Sequence, residues 1–231
     1  MAVALITGGS KGLGRALAST LLERGWSVVI DARDAEALAD AERSLGGGDR
    51  LVAISGDVAD ESHRRALIEA AEGLGGLDLL VNNASTLGAS PLPWLTDITS
   101  DTLRSTYEVN VVAPVALTQA ALALLWKSDR PRVMNISSDA AVEAYEGWGG
   151  YGSSKAALDH LSAVLATEEP GLTVWAVDPG DMRTQMHQDA FPGEDISDRP
   201  LPDEVVPHLV ALIDSDHVSG RKKAAEMEVA R

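Results

Sequence analysis

At 231 residues the chain has the length of one domain with a sizeable core, and 45% hydrophobic with 23% charged residues is the make-up of a globular protein, not of a disordered tail or a fibre. A formal charge of -16 opposes attraction to nucleic-acid phosphates and anionic membranes, so neither is expected as a partner, and an anionic ligand needs a local basic pocket. There is no cysteine, which excludes disulfides and thiolate metal sites; the start MAVALITGG lacks the basic and long apolar segments of a signal peptide, no apolar run reads as a membrane span, and a cytoplasmic location is expected.

Apolar runs rich in Val, Ile and Leu alternate with stretches of helical spacing, the pattern of a parallel sheet covered by helices. Ala2 to Thr7 reads as the first strand and Gly14 to Arg24 as the helix after it. Ser27 to Ile30, Ala35 to Ser44, Leu51 to Ser55 and Glu61 to Glu72 continue the alternation, with Gly46 to Gly48 as a turn. Leu77 to Val81 is the fourth strand, Asp101 to Trp126 a long helix and Arg132 to Ser137 the fifth strand. Tyr151 to Thr167 is the next helix and Thr173 to Val177 the sixth strand. Asp181 to Pro200 is polar, carries Pro192 and Gly193 and shows no clear period, which marks it as a candidate substrate lid. Pro202 to Ile213 reads as a last helix, and Ser219 to Met227 as a short strand whose lysines put it at a sheet edge. No Pro/Ser-rich linker divides the chain, so residues 1–231 are expected to form a single α/β domain, a doubly wound parallel β-sheet with helices on both faces.

Between the first strand and its helix stands Thr7-Gly8-Gly9-Ser10-Lys11-Gly12-Leu13-Gly14. Glycines at 8, 12 and 14 permit a tight turn and close backbone approach, and the helix N-terminus offers free N–H groups, so the loop suits a dinucleotide pyrophosphate. The spacing differs from the common G-x-G-x-x-G. It resembles the T-G-x-x-x-G-x-G of the short-chain dehydrogenase/reductase family. Asp57 in Gly-Asp-Val, Asn82-Asn83-Ala84, Asn110, Ser138, Tyr151-x-x-x-Lys155 and Pro179-Gly180 follow in that family's order and approximate spacing over nearly the whole chain. The resemblance implies a Rossmann-type fold and an oxidoreductase that moves a hydride between a nicotinamide and a small carbonyl or secondary-alcohol substrate. It assigns cofactor contacts to Thr7, Gly8, Ser10, Lys11, Gly12, Leu13 and Gly14 in the loop, and to Asp57 and Val58 near the adenine. Asn83 and Ala84 would line the groove, with Pro179, Gly180 and Thr184 at the nicotinamide. Asp57 also reads as a turn-forming residue, and Ser85 stands where the family has glycine.

The cofactor type is decided at the end of the second strand, where a carboxylate favours a free ribose hydroxyl and a cation favours a 2'-phosphate. The strand ends Ile30-Asp31-Ala32-Arg33. By the resemblance Arg33 matches the basic residue of NADP users and Lys11 is a second matching cation, so NADP(H) is expected over NAD(H). Strand alternation points Asp31 away from Ala32, but a slip of one residue would bring it to the ribose.

Tyr151 and Lys155 are four apart in a helical stretch and share one face. A phenol with pKa near 10 exchanges protons poorly at neutral pH unless a nearby cation lowers it, the role expected of the Lys155 ammonium together with an oxidised nicotinamide. The resemblance makes Tyr151 the proton donor to the substrate oxygen and Lys155 also a ligand of the nicotinamide ribose. It gives Ser138 a hydrogen bond to the substrate oxygen, with Ser137 as the rival on the same strand. Asn110 would hold a helix irregularity and a relaying water; a simple capping amide is the other reading. Glu143, Tyr145, Glu146 and Trp148 would border the substrate, the two carboxylates either favouring a cationic or hydroxyl-rich substrate or simply lying exposed. The helices Asp101 to Trp126 and Tyr151 to Thr167 form subunit contacts in the family, so a homodimer or homotetramer is expected. One other reading stays open, a dinucleotide-binding regulatory sensor with little or no turnover, which has no need of all four of Asn110, Ser138, Tyr151 and Lys155; an epimerase or dehydratase predicts a longer chain and another glycine spacing, neither of which is seen.

Overall fold

The computed structural model describes residues 1–229. Seven strands, β1 (Val3–Ile6), β2 (Ser27–Ala32), β3 (Leu51–Ser55), β4 (Leu79–Asn82), β5 (Arg132–Ile136), β6 (Thr173–Asp178) and β7 (Gly220–Lys223), pair in parallel throughout in the order β3-β2-β1-β4-β5-β6-β7. This is the Rossmann-type doubly wound sheet. The four residues of β1 are all buried, and Ala4, Leu5 and Ile6 alternate between two cores. Ala4 and Ile6 meet α1 (Gly12–Glu23) and, beyond it in sequence, Val206 and Leu209; Leu5 meets Leu67, Leu117 and Leu125 on the opposite face. Helices α2 (Ala35–Leu45), α3 (Glu61–Gly73), α4 (Ser100–Tyr107), α5 (Ala113–Leu125), α6 (Gly149–Glu168), α7 (Gln185–Ala190) and α8 (Pro202–Asp214) complete the two layers.

Strand order reverses between β1 and β4, which opens a crevice at their carboxyl ends, the place where such sheets bind ligands. The expected edge strand exists but is shorter than Ser219 to Met227: β7 stops at Lys223 because Ala224–Glu226 turns into a 3-10 helix. The expected lid is not aperiodic throughout. Thr184 accepts the His187 N–H and caps the short α7, and Arg183 N–H is bonded to the Pro200 carbonyl, so residues 181–200 close on themselves as a loop.

The long helix runs from Ser100 to Leu125 as expected, but a π-helical turn, Glu108–Val112, separates α4 from α5. By length and apolar composition this helix would pass as a membrane span, against the expectation of none. Its apolar side is nonetheless spent inside the fold, where Leu117, Ala121, Leu124 and Leu125 pack into the second core.

No register slip affects β2: Ile30 lies opposite Ala53 and Asp31 opposite Ile54. Asp31 is therefore buried, 1% exposed, and points under the phosphate loop instead of at a ribose. Its Oδ1 accepts the Gly8 N–H at 2.7 Å and its Oδ2 meets Nε2 of the buried His63 at 2.9 Å. The loop is held from its other side by Asn83, whose amide donates to the Thr7 and Gly8 carbonyls at 2.8 and 3.2 Å.

Gly14 shows how tight this is, since a Cβ there would stand 2.5 Å from the Gly8 carbonyl oxygen and 2.6 Å from the Asn83 amide. Gly14→Ala must move one of them, and should lower stability by about 1–3 kcal/mol, the usual range for overpacking. Urea unfolding with an unchanged m-value checks this; an unaffected midpoint would mean that the loop relaxes freely.

Candidate active site

A cleft of about 1130 Å³ runs along the carboxyl ends of β1, β2, β4, β5 and β6. The phosphate loop forms its first half. Gly8 and Gly12 have φ of 70° and 58°, a left-handed backbone that favours glycine. Lys11 occupies the N-cap of α1 without a capping side chain, and no acidic residue stands in the first turn. By contrast α2, α3, α4 and α7 are capped by Asp34, Asp60, Thr99 and Thr184. The free N–H groups of α1 thus face the cleft with the positive end of the helix dipole, a fit for an anionic pyrophosphate.

Lys11, Arg15 and Arg33 line this end, all exposed, and none is in an ion pair among the described residues. Arg15 bonds Ser44 on α2, which fixes its guanidinium at the rim. Ser10, Gly12, Leu13, Val58, Asn83 and Ala84 also line the cleft. Asp57 does so as well, yet its carboxylate accepts the Ala59 N–H at 2.9 Å, the turn-forming alternative.

Three loop residues, Thr7, Gly9 and Gly14, do not line the cleft. Thr7 is buried, and its hydroxyl donates to the Val81 carbonyl while accepting the Asn83 and Ala84 N–H groups. Gly14 lies beneath Gly8. Thr7 and Gly14 thus shape the loop from behind, whereas the other loop residues assigned to the cofactor border the cleft.

At the other end α6 carries Tyr151 and Lys155 into the floor, 8% and 2% exposed. Lys155 Nζ donates to the Ile136 carbonyl at 2.8 Å and stands 5.5 Å from the Tyr151 ring centre. Burial drags the ammonium down to about 8 from its ordinary 10.5, against a counter-pull from Asp159. The Tyr151 phenol moves the opposite way to the expected one: burial raises it, hydrogen bonding with Ser85 and Ser138 offsets part of the rise, and the charges of Asp139 and Asp178 add to it. Desolvation of the phenol is the largest cause, and it outweighs the lowering expected from an ammonium 5.5 Å from the ring centre.

Ser138 follows β5 and faces the cleft, whereas Ser137 is buried; both border the cleft, but Ser138 is the one beside the Tyr151 hydroxyl. Asn110 sits on the π-helical turn, the expected helix irregularity, fully buried and away from the cleft surface. Its amide joins the Thr86 backbone at 2.9 Å in both directions and the Ser154 hydroxyl at 3.0 Å, so it fixes α6 against the segment after β4 rather than touching a ligand. Pro179, Gly180 and Thr184 line the wall beyond β6.

Of the four residues expected to border a substrate, Trp148 lines the cleft, while Glu143, Tyr145 and Glu146 are exposed outside it. Trp148 stands edge-on to Tyr151 at 5.6 Å and tilted against Phe191 at 5.8 Å, and Phe191 is tilted against His187 at 4.9 Å. An aromatic wall therefore extends from the catalytic end into residues 181–200. Arg15, at the rim of the phosphate-loop end, was missed from the sequence, and so were two residues at the catalytic end. Asp139 follows Ser138 on the cleft surface, and Arg221 on β7 donates to the Ser138 carbonyl at 2.9 Å while pairing with Asp159 and Asp178. A carboxylate adjoining a candidate catalytic serine was a visible signal for the first; the second depends on the sheet bringing residues 83 apart together.

The model for short chain dehydrogenases matches residues 2–195, and the chain belongs to that family. Sepiapterin reductase from Bos taurus is 36% identical over 201 residues, covering 80% of this chain and 74% of that one. The rhamnolipid-biosynthesis 3-oxoacyl-acyl-carrier-protein reductase of Pseudomonas aeruginosa is 38% identical over 192 residues, with 80% and 74% covered. Among solved structures, a short chain dehydrogenase from Shigella flexneri 2a complexed with NADP superposes with a TM-score of 0.89 at 28% identity, covering 97% of each chain. The protein is an oxidoreductase of this family.

The depressed Lys155 has a measurable consequence for stability. Between about 8 and 10.5 the unfolded chain holds a proton that the folded chain has released, so this residue's contribution to stability rises with pH across that window. Wild type should gain on a Lys155→Met variant as pH increases from 8 in cofactor-free urea unfolding. A difference independent of pH would show that the ammonium is solvated.

Proposed function

We propose that the protein is an NADP(H)-dependent reductase of small carbonyl compounds, running equally as an alcohol dehydrogenase when the cofactor balance reverses. The observation that carries the reading is the division of one cleft. An uncapped helix with three cations that are in no ion pair among the described residues stands at one end, and the buried Tyr151–Lys155 pair at the other. Relatives that are reductases, and a solved relative complexed with NADP, support it.

Lys11 and Arg33 would hold the 2'-phosphate, whose two negative charges suit a pair of cations that are in no ion pair among the described residues; Asp31 already has both carboxylate oxygens engaged, by the Gly8 N–H and by His63. When bound, NADPH supplies the hydride. Tyr151 gives its proton to the substrate oxygen, and a raised phenol suits that direction because it is protonated at neutral pH. Ser138 steadies the same oxygen. Lys155 stabilises the phenolate left behind through its charge, and Asn110 keeps α6 in place by its bonds to Thr86 and Ser154. Residues 181–200 act as the lid, with Phe191 and His187 meeting Trp148 over an apolar or flat substrate. A regulatory sensor would have no use for an ammonium buried under a phenol, so that reading is not favoured.

Fluorescence titration with NADPH and NADH, beside a carbonyl panel followed by NADPH oxidation, tests the reading. NADPH should bind more tightly than NADH, and neutralising Lys11 and Arg33 together should weaken NADPH by roughly tenfold to a hundredfold while sparing NADH. Tyr151→Phe should keep NADPH binding and lose about 10²–10⁴-fold in turnover. Binding without turnover on any carbonyl would turn the assignment to a sensor.

A further inference from the structure

The carboxylate of Asp139 has no part in the chemistry above, yet it adjoins it. Its Oδ1 accepts the Ser138 hydroxyl at 2.9 Å and the Ala140 N–H at 2.8 Å, and its Oδ2 accepts the Tyr145 hydroxyl at 2.9 Å. It lines the cleft with Tyr151 and is half-buried.

A serine hydroxyl has one proton. While Ser138 donates it to Asp139, that proton is unavailable to a substrate carbonyl. Taking up a carbonyl therefore means that Ser138 turns to the substrate oxygen and Asp139 loses a donor, which a half-buried carboxylate resists. A substrate that brings its own donor on the neighbouring carbon closes the exchange. Oxygens on adjacent carbons, when they lie on the same side, are roughly one O–H···O hydrogen-bond length apart. That is the separation between Ser138 Oγ and Asp139 Oδ1. The carbonyl oxygen can then rest on Ser138 and Tyr151 while the neighbouring hydroxyl donates to Asp139 in Ser138's place. Tyr145, 46% exposed, can swing away and leave Oδ2 to the same donor.

We propose that Asp139 is a specificity-determining residue that selects α-hydroxy ketones in reduction and vicinal diols in oxidation. The inference rests on the reductase reading. The carbonyl carbon receives the hydride and its oxygen the Tyr151 proton, NADPH being oxidised; the neighbouring hydroxyl is unchanged and the product is a vicinal diol.

The test uses the full chain with NADPH and two matched ketones, 2-hydroxy-1-phenylethanone and 1-phenylethanone, and reads the ratio of their kcat/KM values. Wild type should favour the hydroxy ketone by at least about tenfold, since a site built to bind a hydroxyl rejects the analogue lacking it. In Asp139→Ala the ratio should fall to about unity, with Asp139→Asn, which keeps the shape, falling in the same direction. Tyr145→Phe should keep or raise the ratio because it frees Oδ2. A ratio unchanged in Asp139→Ala and Asp139→Asn overturns the inference. So does a Tyr145→Phe ratio that collapses alike, because Asp139 would then serve only to order the loop through Tyr145. Turnover of neither ketone by wild type, or turnover that survives Tyr151→Phe, overturns the reductase reading and the inference with it.

Discussion

Lys155 carries an ammonium to a place 2% exposed, and the arrangement of the catalytic end follows from that burial. An amine taken from water needs compensating partners. Here they are the Ile136 carbonyl, the face of the Tyr151 ring and the more distant charge of Asp159. Reaching Ile136 requires α6 to lie close on the end of β5, and small residues make that possible. A Cβ on Gly152 would stand 2.6 Å from the Ala140 carbonyl oxygen. Asp159 is in turn held by Arg221, which also bonds the Ser138 carbonyl. Edge strand β7, far from the phosphate loop in sequence, thereby braces both members of the catalytic end.

Charge along the cleft is mixed. In a protein of net charge -16 the phosphate-loop end carries Lys11, Arg15 and Arg33, none in an ion pair among the described residues, beside Asp34 and Asp57, and the opposite end carries Asp139, Asp178 and Asp181 with Lys155 and Arg183. Low-dielectric walls strengthen such a field. Cations attract an anionic cofactor, while burial, with the charges of Asp139 and Asp178 adding to it, keeps the Tyr151 phenol protonated in its absence. The expectation of a lowered phenol rested on Lys155 together with an oxidised nicotinamide. In the folded chain the desolvation of the hydroxyl and two neighbouring carboxylates outweigh a lysine that faces the ring.

What could be read in the sequence was local. The alternation of apolar runs with helical stretches located six strands and the helices between them, because each element buries its own periodic face. The glycine loop was legible because left-handed turns at Gly8 and Gly12 leave few alternatives to glycine. Tyr151 and Lys155 share a face by helix geometry alone. Partners made by the sheet were not legible. Asp31 reads as a strand residue of uncertain facing, and only pairing with β3 and the packing of α3 bring His63 to it. Thr7 and Gly14 look like ligand contacts because they belong to the loop motif, yet motif membership does not separate a residue that touches the ligand from one that holds the loop. Residues 181–200 show no period because six helical residues are too few to display one.

The division between holding and touching also locates where substrate choice can vary. Asn83, Thr7 and Asp31 use their polar atoms to fix the backbone of the phosphate loop, and Asn110 uses its amide to fix α6. These groups are committed, since a buried polar atom that loses its partner is costly. Polar and aromatic groups on the cleft wall at residues 139–148 and 181–200 are more loosely bound: Tyr145 is nearly half exposed, and Trp148 and Phe191 meet as rings without a hydrogen bond between them. Cofactor binding is thus built into the rigid, mutually bonded half of the cleft. Discrimination between substrates falls to the half whose side chains can change partners without disturbing the sheet.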